Sequence, residues 1–342
     1  MTHTDPITSV LAVMHAQLER LDGPGGALMR EMIEHHLGWD AHGAEAPDQP
    51  AAIGGKLVRT RLCLLSCAAV GGDAFAAAPA AAAVELLHNY SLIHDDIEDR
   101  DDIRRGRPAV WKIWGEAQGI NAGDVMHALA FSALAELEAV GVEHTRRLHA
   151  GAILARTSVR LCEGQAHDLA LQGKDNIVET EYLDMIGRKT GALMSAAAEL
   201  GALLGGASDS QAAGFRDFGL HLGLAFQIRD DILGIWGEPE NMGKPVGADI
   251  SRKRCSYPII WALAQAKGDD RDLIVAARAQ PSPRLIADSV AALERIGARD
   301  RAEQLAGEYH QRAWAALVDL ELAPRPAAEL HQLTDFLAAR QR

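Results

Sequence analysis

The sequence lacks the features that mark zinc-binding and membrane-spanning proteins. Its four cysteines form no CxxC pair and no zinc-type spacing, which excludes the common structural zinc sites. We expect all of them to be small buried side chains; they are Cys63, Cys67, Cys162 and Cys255. No uncharged apolar stretch reaches the roughly 18 residues of a transmembrane helix, and residues 1–19 lack the basic start and apolar core of a signal peptide. We therefore expect a cytoplasmic protein with no transmembrane segment.

The sequence also lacks the alternating β-branched runs that predict a sheet, and no Pro-, Gly- or Ser-rich linker divides it. Ala- and Leu-rich segments instead have apolar residues at helical spacing, separated by Gly or Pro. These segments are 56–70, 80–99, 120–139, 150–172, 181–204 and 211–233. The segment 80–99 is apolar around most of its circumference, which predicts a central helix of a bundle. We predict an all-α, single-domain protein over residues 1–342, with a loop at 38–53.

Charge limits the partners. The chain has 34 basic and 47 acidic residues, a formal net charge of −13, so nucleic acid is excluded as a partner. Two basic runs contrast with this net negative charge. The run RRGR at 104–107 follows one acidic cluster, and RKR at 252–254 follows a second. Cationic groups beside metal-binding carboxylates indicate a small polyanion, in particular a diphosphate held by metal ions and guanidinium groups.

The acidic clusters lie in apolar segments. Asp95 and Asp99 share one face of a predicted helix, with Asp96 beside them. Without a cation the i,i+4 carboxylates would repel each other, and oxygen ligands of this kind suit Mg²⁺ better than Zn²⁺. A solvated acidic face is the alternative interpretation of this cluster taken alone. The second pair, Asp230-Asp231, together with the basic runs favours metal binding.

Seven short motifs follow one another between Gly54 and Pro258. They are GGK with Arg59 (54–59), ELLH (85–88) before the first aspartates, RRG (104–106), GQ with Asp168 (164–168), KTG (189–191), FQ with the second aspartates (226–231) and GKP with Asp249 (243–249). In this order they resemble the all-trans prenyl diphosphate synthases of the isoprenoid synthase fold. The resemblance implies a helical bundle around a central catalytic cavity, with N-terminal helices and a loop at 1–53, the catalytic core at 54–258 and C-terminal helices at 259–342.

The resemblance also implies the role of each site residue. Asp95, Asp99 and Asp230 would bind Mg²⁺, three ions in all with Mn²⁺ able to substitute, and Asp96 and Asp231 would act as outer-shell or occasional ligands. The residues implied for the allylic diphosphate are Arg104, Lys189 and Lys244, with Thr190 and Gln227 nearby and Arg254 where a lysine is common. The residues implied for isopentenyl diphosphate, held without metal, are Lys56, Arg59, His88 and Arg105. Ionisation, attack by the isopentenyl double bond and proton loss to the released diphosphate would need no protein nucleophile.

Product length follows from the same resemblance. Tyr90, five residues before the first aspartate, would form the floor of the hydrocarbon tunnel, roughly 7 Å along the helix from the metals. A bulky aromatic there, with small Ser91 beside it and no insertion in the first motif, is similar to geranylgeranyl synthases. We predict a twenty-carbon product, with fifteen carbons next. The family and the apolar segment 120–139 lead us to expect a homodimer.

One departure from the family leaves alternatives open. The second motif ends in Gly234, where a third aspartate is common, and glycine cannot ligate metal. A terpene cyclase or an irregular coupling enzyme of the same fold is therefore a second hypothesis, although a cyclase does not need the cationic isopentenyl pocket. A non-catalytic partner subunit is a third, disfavoured because the first aspartate cluster is intact. A di-iron carboxylate bundle is weaker, since no suitable Glu-x-x-His pairs occur.

Several polar residues have two interpretations. Asp101 and Asp102 are expected to be solvated in the turn after the first motif, and His94 is expected to be structural. Gly123 is expected to allow close helix packing. Asp168, with Gln165, is either beside the substrate or part of a buried polar pair within the bundle.

Overall fold

The computed structural model describes residues 5–39, 57–237 and 246–338, and most of them are helical. The α-helices are α1 Pro6–Glu19, α2 Gly23–Leu37, α3 Val58–Ala69, α4 Ala78–Glu98, α5 Val110–Trp114, α6 Glu116–Ala135, α7 His144–Leu171, α8 Glu179–Ile186, α9 Ala192–Leu204, α10 Asp209–Trp236, α11 Ala248–Ser251, α12 Tyr257–Gln265, α13 Asp269–Ala279, α14 Pro283–Ile296, α15 Ala298–Ala315 and α16 Pro324–Ala338. Short 3-10 helices span Ala74–Ala77 and Glu136–Glu138. The all-α prediction is confirmed, and most predicted boundaries lie within a few residues of these.

Helix ends follow from local sequence. Asp5 precedes Pro6 and its side chain accepts a hydrogen bond from the Ile7 amide at 3.1 Å. Ser282 does the same for the Leu285 amide of α14, again with proline in the first turn. An N-cap oxygen satisfies an otherwise unpaired amide, and proline fits the first turn because its missing N–H has no partner to lose.

The structure comprises two compact units. The first contains residues 1–158, 196–216 and 320–330, and the second contains residues 159–195, 217–319 and 331–342. The prediction of a single domain stays a prediction. In the first unit, α4 contacts α1, α3 and α6, and its residues 78–87 are all buried, which confirms that this helix lies at the centre of a bundle.

The core of the second unit surrounds α8 and residues 217–236 of α10. Tyr182, Ile228 and Tyr257 are fully buried there, together with Ile232 and Leu305. A second cluster packs α12 against α13, α14 and the start of α15. The apolar residues that the helical period places on one face are therefore the residues that form this core.

Two local features depart from a simple helical chain. Residues Ile103–Arg104 and Arg107–Pro108 pair as a two-stranded antiparallel hairpin, with Gly106 at a positive φ of 76°. Residues Gly187–Gly191 form a π-helical turn between α8 and α9, so the segment predicted as one regular helix at 181–204 contains a widened turn. Such π turns occur often at functional sites.

The cysteine prediction is correct for two residues and wrong for Cys162. Cys63 and Cys67 are buried and free, whereas Cys162 is exposed on α7 and Cys255 is half-buried. Burial raises the pKa of Cys67 to about 12, so its thiol stays neutral. No helix among the described residues is long and apolar enough to cross a membrane. The loop predicted at 38–53 lies outside the described residues apart from its first two positions.

Candidate active site

The first acidic cluster lies at the C-terminal end of α4. Asp95 and Asp99 are half-buried, and the Asp99 amide donates to the Asp95 carbonyl at 2.8 Å. This hydrogen bond continues the helical repeat through Asp99, so the two residues stay one turn apart on one face. Asp96 points elsewhere and is only 1% exposed. The cluster thus contains two accessible carboxylates and one buried carboxylate.

The hairpin at 103–108 pairs the buried carboxylate with a guanidinium. Arg104 donates from both Nε and an Nη to Asp96 Oδ1, the Nε bond being 2.9 Å long. Burial raises the pKa of Asp96, and the hydrogen bonds and charge of Arg104 oppose that rise. Although burial disfavours the cation, hydrogen bonding to Asp96 raises the pKa of Arg104. Arg104 therefore remains charged and fixed beside the aspartates, where a second anion could share it.

The donor set suits a hard cation with few protein ligands. Within residues 5–39, 57–237 and 246–338, no group of three or more His, Cys, Asp or Glu side chains is arranged to hold a metal. Mg²⁺ often binds one or two carboxylates and completes its shell with waters and substrate phosphate. The other oxygen of Asp96, Oδ2, is a buried atom without a hydrogen-bond partner in this part of the chain. An oxygen of that kind can accept a hydrogen bond from a metal-bound water, so these residues fit Mg²⁺.

The expectation for Asp101 is wrong. Its side chain is 8% exposed, because its amide donates to the Asp96 carbonyl at 2.9 Å and its own carbonyl accepts from Trp111 Nε1 at 2.8 Å. These bonds fold the turn back onto the end of α4. Asp102 is exposed, as expected, and pairs with Lys112 at 3.0 Å.

Two turns before the aspartates, His88 of α4 contacts a guanidinium group of α3. Arg59 of α3 lies 3.2 Å from His88 Nε2. Burial holds the pKa of His88 well below its usual value, and the positive charges of Arg59 and Arg105 lower it further. His88 is therefore neutral and can accept from one guanidinium while leaving the positive charge on the arginines. Arg105 in turn donates to Asn89 Oδ1 at 3.3 Å.

A buried polar network holds these arginines in place. Asn89 is fully buried and donates to Glu85, whose other carboxylate oxygen accepts from Thr60 at 2.9 Å. His36 of α2 lies 3.2 Å from Asn89 Oδ1, the oxygen that also binds Arg105. Burial keeps the pKa of His36 well below its usual value, and Arg105 lowers it further, so the histidine acts as a neutral donor. Sequence reasoning missed this residue; its only signal was a histidine pair at the end of α2.

A cavity of about 180 Å³ lies against this network. Its walls come from the end of α2 and from the hairpin, and they include Arg104, Arg105, Arg107, His35 and His36. Arg107 donates to His35 Nδ1 at 2.9 Å. The walls present cationic groups from three arginines, which makes the cavity suitable for an anion.

Tyr90 is packed between two histidines. Its ring meets His94 at a centroid distance of 5.4 Å and His127 of α6 at 4.9 Å, both edge to face. The Nε2 atom of His127 lies at hydrogen-bond distance, 2.6 Å, from the Ser158 hydroxyl oxygen. His94 also lies against Gly123, where an added Cβ would be 2.2 Å from its Nε2, so both residues serve helix packing, as expected. Ser91 is half-buried and its hydroxyl donates to the His88 carbonyl at 2.7 Å.

In the second unit, the side chain of Asp231 is buried, with the residue 5% exposed. Its carboxylate accepts from the Tyr182 hydroxyl at 2.6 Å, from Gln227 Nε2 at 2.9 Å and from the Tyr257 amide at 2.8 Å. Burial raises the pKa of Asp231 to about 8, the charge of Asp249 adds to the rise, and the three hydrogen bonds oppose it. The neighbouring Asp230 is half-buried on the adjacent face of α10.

The π turn contains the fifth motif, KTG, and contacts the fourth and the sixth. Thr190 donates to Gln227 Oε1 at 2.7 Å, so it joins the hydrogen-bond chain that ends at Asp231. Lys189 donates to Asp168 of α7 at 2.6 Å. A Cβ on Gly164 would lie 2.3 Å from the Lys189 amide nitrogen, which explains the glycine there. Asp168 is thus the partner of a predicted site lysine.

The basic run at 252–254 is fixed through its backbone. Arg278 of α13 is 4% exposed and donates to the Arg254 carbonyl at 3.1 Å and to Asp175 at 3.0 Å. These hydrogen bonds from Arg278 orient the segment that contains Arg254. Two predicted site residues, Lys56 and Lys244, lie outside the described residues.

Comparison with known proteins places the chain in a family. Residues 44–292 match the Polyprenyl synthetase family. The chain is 40% identical over 296 residues to a short chain isoprenyl diphosphate synthase of Methanothermobacter thermautotrophicus, covering 86% of this chain and 90% of that protein. It is 38% identical over 336 residues to a geranylgeranyl diphosphate synthase of Mycobacterium tuberculosis, covering 96% and 90%. A polyprenyl synthetase structure from Streptomyces coelicolor A3(2) superposes with a TM-score of 0.85 at 36% identity, covering 97% of each chain. The chain belongs to the polyprenyl synthetase family, which confirms the resemblance.

Proposed function

We propose that this protein condenses isopentenyl diphosphate with an allylic diphosphate, head to tail, to give a short all-trans prenyl diphosphate. The observation that supports this best is the pair of sites on α4. Accessible carboxylates at Asp95 and Asp99 end the helix, and neutral His88 with Arg59 lies two turns earlier. A chain-elongating enzyme must hold two diphosphates in different ways, one that leaves and one that stays. Carboxylates with metal suit the first, and guanidinium groups suit the second.

The metal is proposed to be Mg²⁺, with Asp95, Asp99 and Asp230 as its ligands. When bound it neutralises the charge that develops on the departing diphosphate. The chain's own cations do the same work from the protein side: Arg104 is fixed by Asp96, and Lys189 is held by Asp168. Such preorganised charges stabilise a transition state without reorganising during the reaction.

The alternatives differ in their use of the cationic site. A cyclase ionises one allylic diphosphate and has no second diphosphate to bind, so Arg59, His88 and Arg105 would have no ligand. A non-catalytic partner subunit would not need the intact first cluster. An incorporation assay distinguishes these functions. It combines purified protein, Mg²⁺ and labelled isopentenyl diphosphate with each of the five-, ten- and fifteen-carbon allylic primers in turn. Elongated product supports the proposal, and release of diphosphate without incorporation of label contradicts it.

We further propose a twenty-carbon product, with fifteen carbons next. Tyr90 is 8% exposed and its ring is braced on both edges by His94 and His127, so it makes a firm tunnel floor. A relative that is 38% identical carries the name geranylgeranyl diphosphate synthase. We therefore expect this floor to stop chain growth at geranylgeranyl diphosphate.

Tyr90→Ala is expected to lengthen the product. Removing the ring opens space at the floor, and one five-carbon unit or more should be added before the chain is stopped. Chromatography of the dephosphorylated products measures this, with Ser91→Ala as the matched neighbour that leaves the floor in place. An unchanged product distribution for Tyr90→Ala contradicts the assignment.

A homodimer is proposed from exposed apolar residues of the first unit. Ile120 is 46% exposed on α6 and Leu148 is 60% exposed on α7, and Ala128, Ala135 and Ala152 are exposed on the same helices. Apolar surface of this kind often marks a protein interface. Sedimentation of the purified protein tests the proposal, since a mass near the 36.6 kDa of one chain would contradict it.

A further inference from the structure

The two arginines of the hairpin are adjacent in sequence but have different anchors on α4. Arg104 donates two hydrogen bonds to Asp96. Within the described residues, Arg105 donates one, from Nη2 to Asn89 Oδ1 at 3.3 Å. Asn89 and Asp96 lie about two helical turns apart. A change that disturbs Asn89 should therefore act on Arg105 and leave Arg104 in place.

The side-chain amide of Asn89 has one favourable orientation. The residue is fully buried, and its Nδ2 donates to the Glu85 carbonyl at 2.8 Å and to Glu85 Oε1 at 3.2 Å. Thr60 donates to the other carboxyl oxygen of Glu85 at 2.9 Å, which holds that group in turn. A rotated amide would place Asn89 Oδ1 against a carbonyl oxygen, and neither atom can donate. Oδ1 therefore faces Arg105 and His36.

His36 of α2 completes the surroundings of this oxygen. Its Nε2 lies 3.2 Å from Asn89 Oδ1, and the residue is 7% exposed. Because Oδ1 can only accept, Nε2 must carry the proton. Burial and the charge of Arg105 lower the pKa of His36, so the ring donates without adding positive charge. Removing the ring would open space beside Oδ1, and water entering there would compete with Arg105 for the oxygen.

The preceding histidine holds the hairpin by a separate route. Arg107 donates to His35 Nδ1 at 2.9 Å, and His35 Nε2 donates to the Pro108 carbonyl at 2.9 Å. These two bonds dock the second strand of the hairpin on α2 and do not involve Asn89. The strand should therefore stay docked when His36 is replaced, and the change should be confined to the side chain of Arg105.

We propose that His36 is a positioning residue for isopentenyl diphosphate, acting through Asn89 on Arg105. Its loss should weaken the binding of isopentenyl diphosphate and leave the binding of the allylic diphosphate, assigned to Arg104, nearly unchanged. The proposal rests on the proposed function, because it takes Arg105 to be a ligand of isopentenyl diphosphate.

Isothermal titration with isopentenyl diphosphate, and with an unreactive allylic diphosphate analogue and Mg²⁺, tests the proposal. His36→Leu should raise the Kd of isopentenyl diphosphate by about tenfold and that of the allylic analogue by less than about twofold. Equal weakening of the two ligands, or an unchanged Kd for isopentenyl diphosphate, would refute the role of His36.

Two polar variants of His36 test the donor itself and decide the matter if His36→Leu does not fold. Glutamine can place an N–H where histidine has Nε2, whereas the shorter asparagine places it where histidine has Nδ1. His36→Gln should keep the Kd of isopentenyl diphosphate within about threefold of the native value, and His36→Asn should raise it by about tenfold. Equal Kd values for these two variants would contradict the proposed hydrogen bond.

A histidine of the second unit is the matched control. Burial also lowers the pKa of His221 on α10, and its ring stacks on Tyr309 at a centroid distance of 6.0 Å. His221→Leu should leave the Kd of isopentenyl diphosphate within about twofold of the native value, even where urea unfolding shows lower stability. An increase as large as that of His36→Leu would mean that the loss of any buried histidine weakens binding, which counts against the proposal.

Arg105→Leu separates this proposal from the proposed function. It should raise the Kd of isopentenyl diphosphate by at least as much as His36→Leu, and adding His36→Leu to it should have little further effect. An unchanged Kd in Arg105→Leu contradicts the proposed isopentenyl site and the role of His36 together. A raised Kd in Arg105→Leu with a native Kd in His36→Leu refutes the role of His36 alone.

Discussion

Replacement of Asp95 by alanine is expected to lower kcat/KM for chain elongation by about 10²–10³-fold. Asp95 is accessible, lies one turn from Asp99 and is a proposed metal ligand. Its loss removes charge that holds Mg²⁺ against the leaving diphosphate, and Asp99 is then left to hold the ion from this face of α4 alone. The Mg²⁺ concentration needed for half-maximal rate should rise as well. Steady-state incorporation of labelled isopentenyl diphosphate over a range of Mg²⁺ concentrations measures both effects.

Asp102→Ala is the matched control for this prediction. Asp102 is an exposed carboxylate just after the cluster and pairs with Lys112 on the surface. Its removal should change kcat/KM by less than about twofold, since an exposed ion pair contributes little. If Asp95→Ala and Asp102→Ala had similar small effects, the carboxylates of α4 would not be metal ligands.

Arg104→Leu is expected to lower the free energy of unfolding by about 3–5 kcal/mol. The guanidinium of Arg104 is the charged partner of Asp96, whose side chain is 1% exposed. Without it a buried carboxylate is left unpaired, and the protein must either desolvate that charge or bind a proton. Urea unfolding measures the loss. Because Arg104 is also proposed to bind the allylic diphosphate, activity should fall in the same variant.

A control and a rescue separate these two effects of Arg104. Arg100 pairs with Glu116 on the surface, with side chains 63% and 50% exposed, so Arg100→Leu should cost at most about 1 kcal/mol. Combining Arg104→Leu with Asp96→Leu removes both buried charges and should recover most of the stability, while activity stays low. A full loss of stability in the double variant would contradict the pairing of Arg104 with Asp96.

The helical periodicity predicted α4 and its central position because apolar residues around the whole helix can be buried only inside a bundle. The same period predicted that the carboxylates of Asp95 and Asp99 lie together, since residues four apart share a helix face. The sequence did not indicate the π turn at 187–191, because one extra residue in a turn leaves the apolar pattern nearly unchanged. That turn places Lys189 against Asp168 and Thr190 against Gln227.

Long-range contacts account for the remaining differences. The burial of Asp101 depends on Trp111, ten residues away, and the role of His36 depends on Asn89, more than fifty residues away. Neither contact has a local signature. Gly234 was recognised as a departure from the family, but its closeness to Asp249 on another helix was not. Local spacing and the order of the motifs therefore led to the proposed chemistry of the site, and tertiary contacts determined which residues hold its side chains in position.

We propose that α4 presents one diphosphate site that depends on metal and another that does not. Isothermal titration with isopentenyl diphosphate, and separately with an unreactive allylic diphosphate analogue, measures this directly when each titration is repeated with Mg²⁺ and with chelator. Chelation should leave the Kd of isopentenyl diphosphate unchanged within about threefold and weaken the allylic analogue by about 100-fold, close to 2.7 kcal/mol. Equal metal dependence of the two ligands would contradict the claim.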